Sequence, residues 1–297
     1  MTGLCEKGAD QIWKQCNDAM YAQGVTWLEE AAYAGDAEAW FFLGHCYSWG
    51  DGAVGFNEKK AYECYLRGAS AGSARAVLGA LRAGQYDEQM KQSARYSIEE
   101  SYRQVRDAAE MGDVYAAWQM GEAVEWEDLA DYMPQTESAR EQRLFWYERA
   151  ADGGIIPAMV KMGKCCQNGT YREKDEKEAL RWANQCAASG EVWGLFQMGE
   201  HYRQEEDWEV AFQYDYAAAK QGSSRAMLYL GQMYLNGQGT ERDIQAAVQA
   251  LEGAAARNEA ESFEELGNLF YQDELVERDD EKAFYWYGKA YAAGIKE

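Results

Sequence analysis

The chain has 297 residues, of which 29 are basic and 51 acidic, giving a net charge of −22. Such a charge repels phosphate backbones and anionic lipid surfaces, so neither nucleic acid nor a membrane is expected as a partner. No apolar run of about 18 residues is present to span a bilayer, and the opening stretch from Met1 to Asp10 lacks the basic-then-apolar order of a signal peptide, so a cytoplasmic location is expected.

Two prolines in the whole chain fit unbroken helices, and strand-like alternation bounded by turn dipeptides is missing. What recurs instead is a unit of roughly 36 residues, a period typical of helical solenoids. The units close at Gly35, Gly72, Gly112, Gly154, Gly190, Gly222, Asn258 and Gly294, residue types suited to the left-handed conformation that ends a helix. Four residues after each terminator stands a small side chain: Ala39, Ala76, Ala116, Ala158, Gly194, Ala226 and Ser262. Eight after it comes Leu43, Ala80, Met120, Met162, Met198, Leu230 or Leu266. Nine after it comes Gly44, Gly121, Gly163, Gly199, Gly231 or Gly267, with Leu81 breaking the rule in the second unit.

These positions predict two helices per unit. The small and apolar residues share one helical stripe, and a glycine inside a helix costs roughly 1 kcal/mol against alanine, which signals another helix passing close by. The second helix is expected to start at Asn57, Ser97, Asp175, Asp207, Asp243 and Asp279, whose side chains accept from the first free amides. Ser97 with Glu100 spells a capping box. Eleven residues before the terminator an alanine recurs as Ala61, Ala179, Ala211, Ala247 and Ala283. Three further on, Trp27, Trp146, Trp182, Tyr214 and Trp286 are expected to wedge between neighbouring hairpins.

The segment from Gly231 to Asp243, and the closing stretch from Asp280 to Ala290, resemble the Sel1-like repeat, a relative of the tetratricopeptide repeat. The resemblance covers residues 20 to 294 and implies an all-α fold, an α-α superhelix (solenoid) of about seven Sel1-like helical hairpins. Residues 1–35 would be an N-terminal partial or capping repeat and 36–297 the solenoid. Departures fall at Leu81, at a longer polar inter-helix segment from Gln85 to Ala94, at an insertion from Glu127 to Glu137 that includes Pro134, and at a shortening between Gln204 and Asp207.

Chemistry-bearing motifs are sparse. The seven cysteines form an odd set, so at least one stays unpaired in a monomer. Adjacent Cys165 and Cys166 point about 100° apart on a helix and have no neighbouring histidine to complete a tetrahedral site, so they are read as buried apolar residues in a reducing compartment. His45 and His201 are the only histidines, which leaves little material for metal motifs or triads. Ser-x-x-Lys and a phosphate-cradling Gly-rich loop ending in Lys-Ser/Thr are absent from the sequence. No cofactor and no metal are expected. The enzyme alternative is a helical-toroid hydrolase, glycosidase-like, with paired carboxylates.

A solenoid offers a long face lined by its first helices. In the related tetratricopeptide repeats, groove-facing residues lie three before and one after the helix glycine. Carried over, the resemblance implies Phe41 and His45, Leu78 and Arg82, Trp118 and Glu122, Val160 and Lys164, Phe196 and Glu200, Leu228 and Gln232, and Glu264 and Asn268. Trp49 and Trp126 fall one turn further along, and Arg203 follows Glu200. The expected function is that of a protein-protein interaction adaptor or scaffold. Its groove would bind a protein or peptide with apolar anchors and basic flanks, attracted by Glu122, Glu200 and Glu264.

The last hairpin is rich in rings: Phe263, Phe270, Tyr271, Phe284, Tyr285, Trp286, Tyr287 and Tyr291. One helix cannot bury so many on a single side. This end is therefore expected to pack against a second copy or a partner, or to be covered by chain beyond Glu297.

Overall fold

The computed structural model describes residues 1–15, 18–50, 54–125, 139–272 and 276–294. Seventeen α-helices and no strand occur among the described residues. They form two compact units, Met1–Trp182 and Ala183–Glu297. In the first unit α1 (Gly3–Trp13) packs on α2 (Asp18–Tyr33), α3 (Ala37–Trp49) on α4 (Glu58–Ala71), α5 (Ala74–Arg82) on α7 (Ile98–Glu110), and α8 (Val114–Glu125) on α9 (Ala139–Asp152). Short α6 (Glu88–Ser93) packs on α4, and α10 (Ile156–Asn168) on α9. The division falls within α11 (Glu176–Ala188). In the second unit α12 (Val192–Gln204) pairs with α13 (Trp208–Lys220), α14 (Ser224–Asn236) with α15 (Ile244–Ala255), and α16 (Ala260–Gln272) with α17 (Asp280–Ala292).

Local sequence accounts for the helix ends. All eight terminators adopt positive φ, from 60° at Asn258 to 102° at Gly72. The chain then turns back: Gly72 N donates to Ala69 O at 3.2 Å and Ser73 N to Gly68 O at 2.8 Å, satisfying two last-turn carbonyls. The expected caps form at Asn57, Asp207, Asp243 and Asp279, Ser97 and Glu100 close a capping box, and Asp175 Oδ1 accepts from Glu178 N at 3.0 Å. Ala158 and Ala226 are fully inaccessible, as the small-residue register requires.

The helix glycines have a more specific tenant than a passing helix. A Cβ on Gly44 would lie 2.6 Å from a ring carbon of Tyr65, one on Gly121 2.5 Å from Tyr147, and one on Gly267 2.6 Å from Tyr287. Each tyrosine stands seven residues before its terminator, so its ring fills the glycine of its own hairpin. Where Leu81 replaces the usual glycine, Gly79 two residues earlier meets the same Tyr65 ring at 2.6 Å. The rings expected as wedges divide accordingly: Trp146 and Trp182 are buried, whereas Trp27, Tyr214 and Trp286 are only half-buried. They sit one residue before the tyrosine position, about 100° round the helix.

The segment from Gln85 to Ala94 is more than a polar connection. It contains α6, capped by Asp87 and anchored by fully buried Met90. The insertion from Glu127 to Glu137 lies outside the described residues. In the final hairpin Phe263 and Phe270 are buried, Trp286 and Tyr287 half-buried, and Phe284, Tyr285, Tyr291 and Tyr271 exposed.

Candidate functional site

In the first unit α3, α5 and α8 lie side by side. Between them opens a cavity of about 210 Å³. Phe41, His45 and Trp49 line it from α3, Leu78 and Arg82 from α5, and Trp118 and Gln119 from α8. The repeat register explains the convergence, because residues three before and one after equivalent positions of successive first helices occupy one face. Six sequence-derived groove residues from three repeats therefore meet in one place. Phe56 just before α4, Glu58 at its start, and Tyr65 behind complete the rim and back wall.

Phe41, Leu78 and Trp118 are buried, while Trp49 at 51% and Phe56 at 70% exposure form an open rim. Trp118 is only 8% exposed and packs on Tyr147 with centroids 5.4 Å apart, so it serves the core as well as the cavity wall. Glu122 is also no free steering charge. It is buried in an ion pair with Arg82 and accepts from the Tyr147 hydroxyl at 3.0 Å. The Arg82 guanidinium in turn sits 4.6 Å from the ring centroid of Trp49, a cation–π contact that holds this rim residue.

His45 lies among Trp13, Phe41 and Trp49 with centroid separations of 5.3, 6.3 and 6.0 Å. Burial first, then the Arg82 charge, pushes its pKa down to about 3, so it is neutral at pH 7. Both of its ring nitrogens, Trp118 Nε1 and Gln119 Oε1 make no hydrogen bond within the protein. Buried polar atoms of this kind cost stability, and four of them cluster around one cavity. Ser48 Oγ donates to Tyr65 Oη at 3.2 Å along the same wall.

Elsewhere several residues of this face make contacts within or between neighbouring repeats. Val160 is half-buried and Lys164 exposed on α10. Trp126 lies outside the described residues. In the second unit Arg203 pairs with buried Asp215 and stacks 3.7 Å from the Tyr229 centroid and 5.6 Å from that of Phe196. Asp215 occupies the position held by tyrosine in three other hairpins, and desolvation, outweighing Arg203, pushes its pKa up to about 6. Gln197 Nε2 donates to Glu200 at 3.4 Å, Gln232 Nε2 to Glu265 at 2.8 Å, and the Tyr287 hydroxyl to Asn268 at 2.8 Å. Leu228 is buried and Glu264 half-buried. The groove register alone left out Tyr65, Gln119, Asp215 and Tyr229. The recurring tyrosine seven before the terminator was the available signal for the first, and its replacement by Asp215 for the third.

The described cysteines, Cys5, Cys46, Cys64, Cys165, Cys166 and Cys186, are all buried. Burial pushes the Cys64 pKa up to about 12 and that of Cys166 upward as well, which disfavours the reactive thiolate. Cys16 lies outside the described residues. Among the described residues no three His, Cys, Asp or Glu side chains gather as a metal site, and no helix is long and apolar enough to cross a membrane. Among the described residues one carboxylate, Glu58, lines the cavity.

The Sel1 repeat family model matches residues 19–36, 37–73, 144–155, 156–191, 224–258 and 264–295. An uncharacterised protein of Neisseria meningitidis serogroup B is 26% identical over 195 residues, 65% of this chain and 38% of its own length. The crystal structure of c5321, a protective antigen of uropathogenic Escherichia coli displaying an SLR fold, superposes with a TM-score of 0.62 at 21% identity, over 91% of this chain and 56% of that one. A Sel1 repeat protein from Oxalobacter formigenes gives 0.55 at 22% identity, over 98% and 82%. This chain thus spans little more than half the length of the antigen and less of the meningococcal relative, and the two structures share its fold. Hairpins closed by left-handed terminators, glycines filled by tyrosines and a family model matching more than half of the residues lead to one conclusion: the chain belongs to the Sel1 repeat family.

Proposed function

We propose that this protein is an interaction adaptor whose first unit seats a partner segment through an apolar anchor in the cavity between α3, α5 and α8. Sel1-repeat proteins are commonly protein-interaction scaffolds, and their fold is typically non-enzymatic. The observation that carries the reading is the convergence of Phe41, Leu78 and Trp118 from three successive repeats on one cavity with an exposed aromatic rim. Aromatic walls supply large contact area at low entropy cost, as binding hot spots require. A net charge of −22 favours basic residues flanking the anchor.

Fluorescence polarisation with labelled peptides carrying one aromatic anchor, flanked by lysines or by aspartates, tests it. The lysine-flanked set binds, less tightly as salt rises, and Trp49→Ala with Phe56→Ala weakens binding about tenfold or more. Both residues belong to the open rim, so helix content stays unchanged. Equal binding of the two sets, or affinity indifferent to the rim substitutions, overturns the reading.

A further inference from the structure

The cavity between α3, α5 and α8 has apolar walls, yet four shielded polar atoms of the residues lining it have no partner among the described residues. Trp118 and Gln119 are only 8% and 7% exposed. Trp118 Nε1 makes no hydrogen bond, and Gln119 uses its amide nitrogen on Arg75 O at 2.9 Å while its oxygen stays unmatched. Both ring nitrogens of His45 are likewise unmatched.

These atoms define the group that would satisfy them. The Trp118 indole can only donate and the Gln119 oxygen can only accept, while neutral His45 offers one donor and one acceptor. Two donors and two acceptors are therefore unused. A carboxylate brings acceptors alone and an ammonium donors alone, and each would carry an unpaired charge out of water. Arg82, the cation on this wall, is already neutralised by Glu122. A phenyl ring brings neither donor nor acceptor. A neutral hydroxyl both donates and accepts.

Size and depth attach that hydroxyl to a ring. The cavity of about 210 Å³ exceeds the roughly 150 Å³ that houses a benzene molecule in an apolar protein cavity. Exposed Trp49 and Phe56 form its mouth, whereas Trp118 and Gln119 are buried. A tyrosine carries its hydroxyl at the point of the ring furthest from its backbone. The hydroxyl of serine or threonine would stay near the mouth and leave the apolar walls uncovered.

We infer that the anchor is a tyrosine side chain of the partner segment, an inference that rests on the adaptor reading above. Its ring lies against Phe41, Leu78 and Trp118, and its hydroxyl exchanges hydrogen bonds with the unused atoms of His45, Trp118 and Gln119. Water in the free cavity meets the same atoms. A phenylalanine that displaces it strands them, whereas a phenol replaces the bonds it made.

Fluorescence polarisation with the full chain and lysine-flanked peptides that differ only in the anchor tests this. The tyrosine peptide binds about tenfold or more tighter than the phenylalanine peptide. A 4-methylphenylalanine peptide, similar in size to the tyrosine one but without its hydrogen bonds, binds no better than phenylalanine. The tyrosine-to-phenylalanine ratio is then measured in His45→Phe, Trp118→Phe and Gln119→Leu, where it falls towards parity. Because both peptides meet the same variant, a general loss of fold cancels in that ratio. Equal affinity for tyrosine and phenylalanine, a 4-methylphenylalanine peptide as tight as the tyrosine one, or a ratio undiminished in all three variants overturns the inference and leaves the adaptor reading standing. Failure of all three peptides to bind the parent protein overturns both.

Discussion

The ring of Tyr65 occupies the space that a side chain on Gly44 would need, 2.6 Å from where its Cβ would stand. The glycine and the tyrosine are thus one structural device spanning the two helices of a hairpin. Gly44→Ala, which would strengthen an isolated helix, is expected instead to lower stability by about 1–3 kcal/mol through overpacking. Gly121→Ala against Tyr147 and Gly267→Ala against Tyr287 behave alike. Urea denaturation checks this, and stabilisation by any of the three would show that the ring yields freely.

The small residue four positions after the terminator makes a related demand. Ala226 is fully inaccessible on α14, and Ala226→Leu is expected to destabilise by about 1–3 kcal/mol. An unchanged denaturation midpoint would refute the register.

The Arg82–Glu122 pair is nearly dry, with side-chain exposures of 19% and 4%. Removing one partner leaves a buried charge, so Glu122→Leu is expected to cost about 3–5 kcal/mol. Combining it with Arg82→Met recovers most of that loss. A double mutant as unstable as the single one in chemical denaturation would show that the pair is needed for more than mutual neutralisation.

His45 makes stability depend on pH. Its folded pKa of about 3 lies below the ordinary 6.5, so as pH falls from 6.5 the unfolded chain takes up a proton that the folded chain refuses. Stability contributed by neutral His45 is present above pH 6.5 and lost progressively towards pH 3. Asp215 acts in the opposite sense: its pKa is raised from 3.8 to about 6, so its contribution is present below pH 3.8 and lost as pH rises through 6. Denaturation midpoints measured from pH 7 to pH 4 are expected to fall less steeply in His45→Gln and more steeply in Asp215→Asn. Parallel curves for both variants and the parent would contradict these assignments.

Trp118 and Trp49 separate stability from recognition. Trp118 is 8% exposed and Trp49 51%, so Trp118→Ala is expected to lower the melting temperature markedly, at a cost of about 3–5 kcal/mol. Trp49→Ala leaves it nearly unchanged. Thermal unfolding followed by circular dichroism distinguishes the two, and equal losses would place both rings in the core.

Much of this protein is determined one helix at a time and was legible in the chain itself. Terminators, caps and the small-residue stripe depend on φ preferences and on side-chain bonds spanning three or four residues. That is why Gly72, Asn57 and Ala226 could be placed without coordinates. The groove register that put Phe41, Leu78 and Trp118 on one face came instead from the resemblance to tetratricopeptide repeats. What needed the tertiary structure was every relation set by which side chain fills which space. Tyr65 rather than Trp27 or Trp286 marks the glycine-filling position, because one residue along a helix turns a side chain by about 100°. Glu122 became half of a buried ion pair rather than a steering charge, since that depended on Arg82 reaching it from the preceding repeat. Met90 entered the core from a segment whose composition is polar. Local periodicity decides which residues can face a neighbour; only packing in three dimensions decides which neighbour arrives and whether it leaves a cavity, as beside His45.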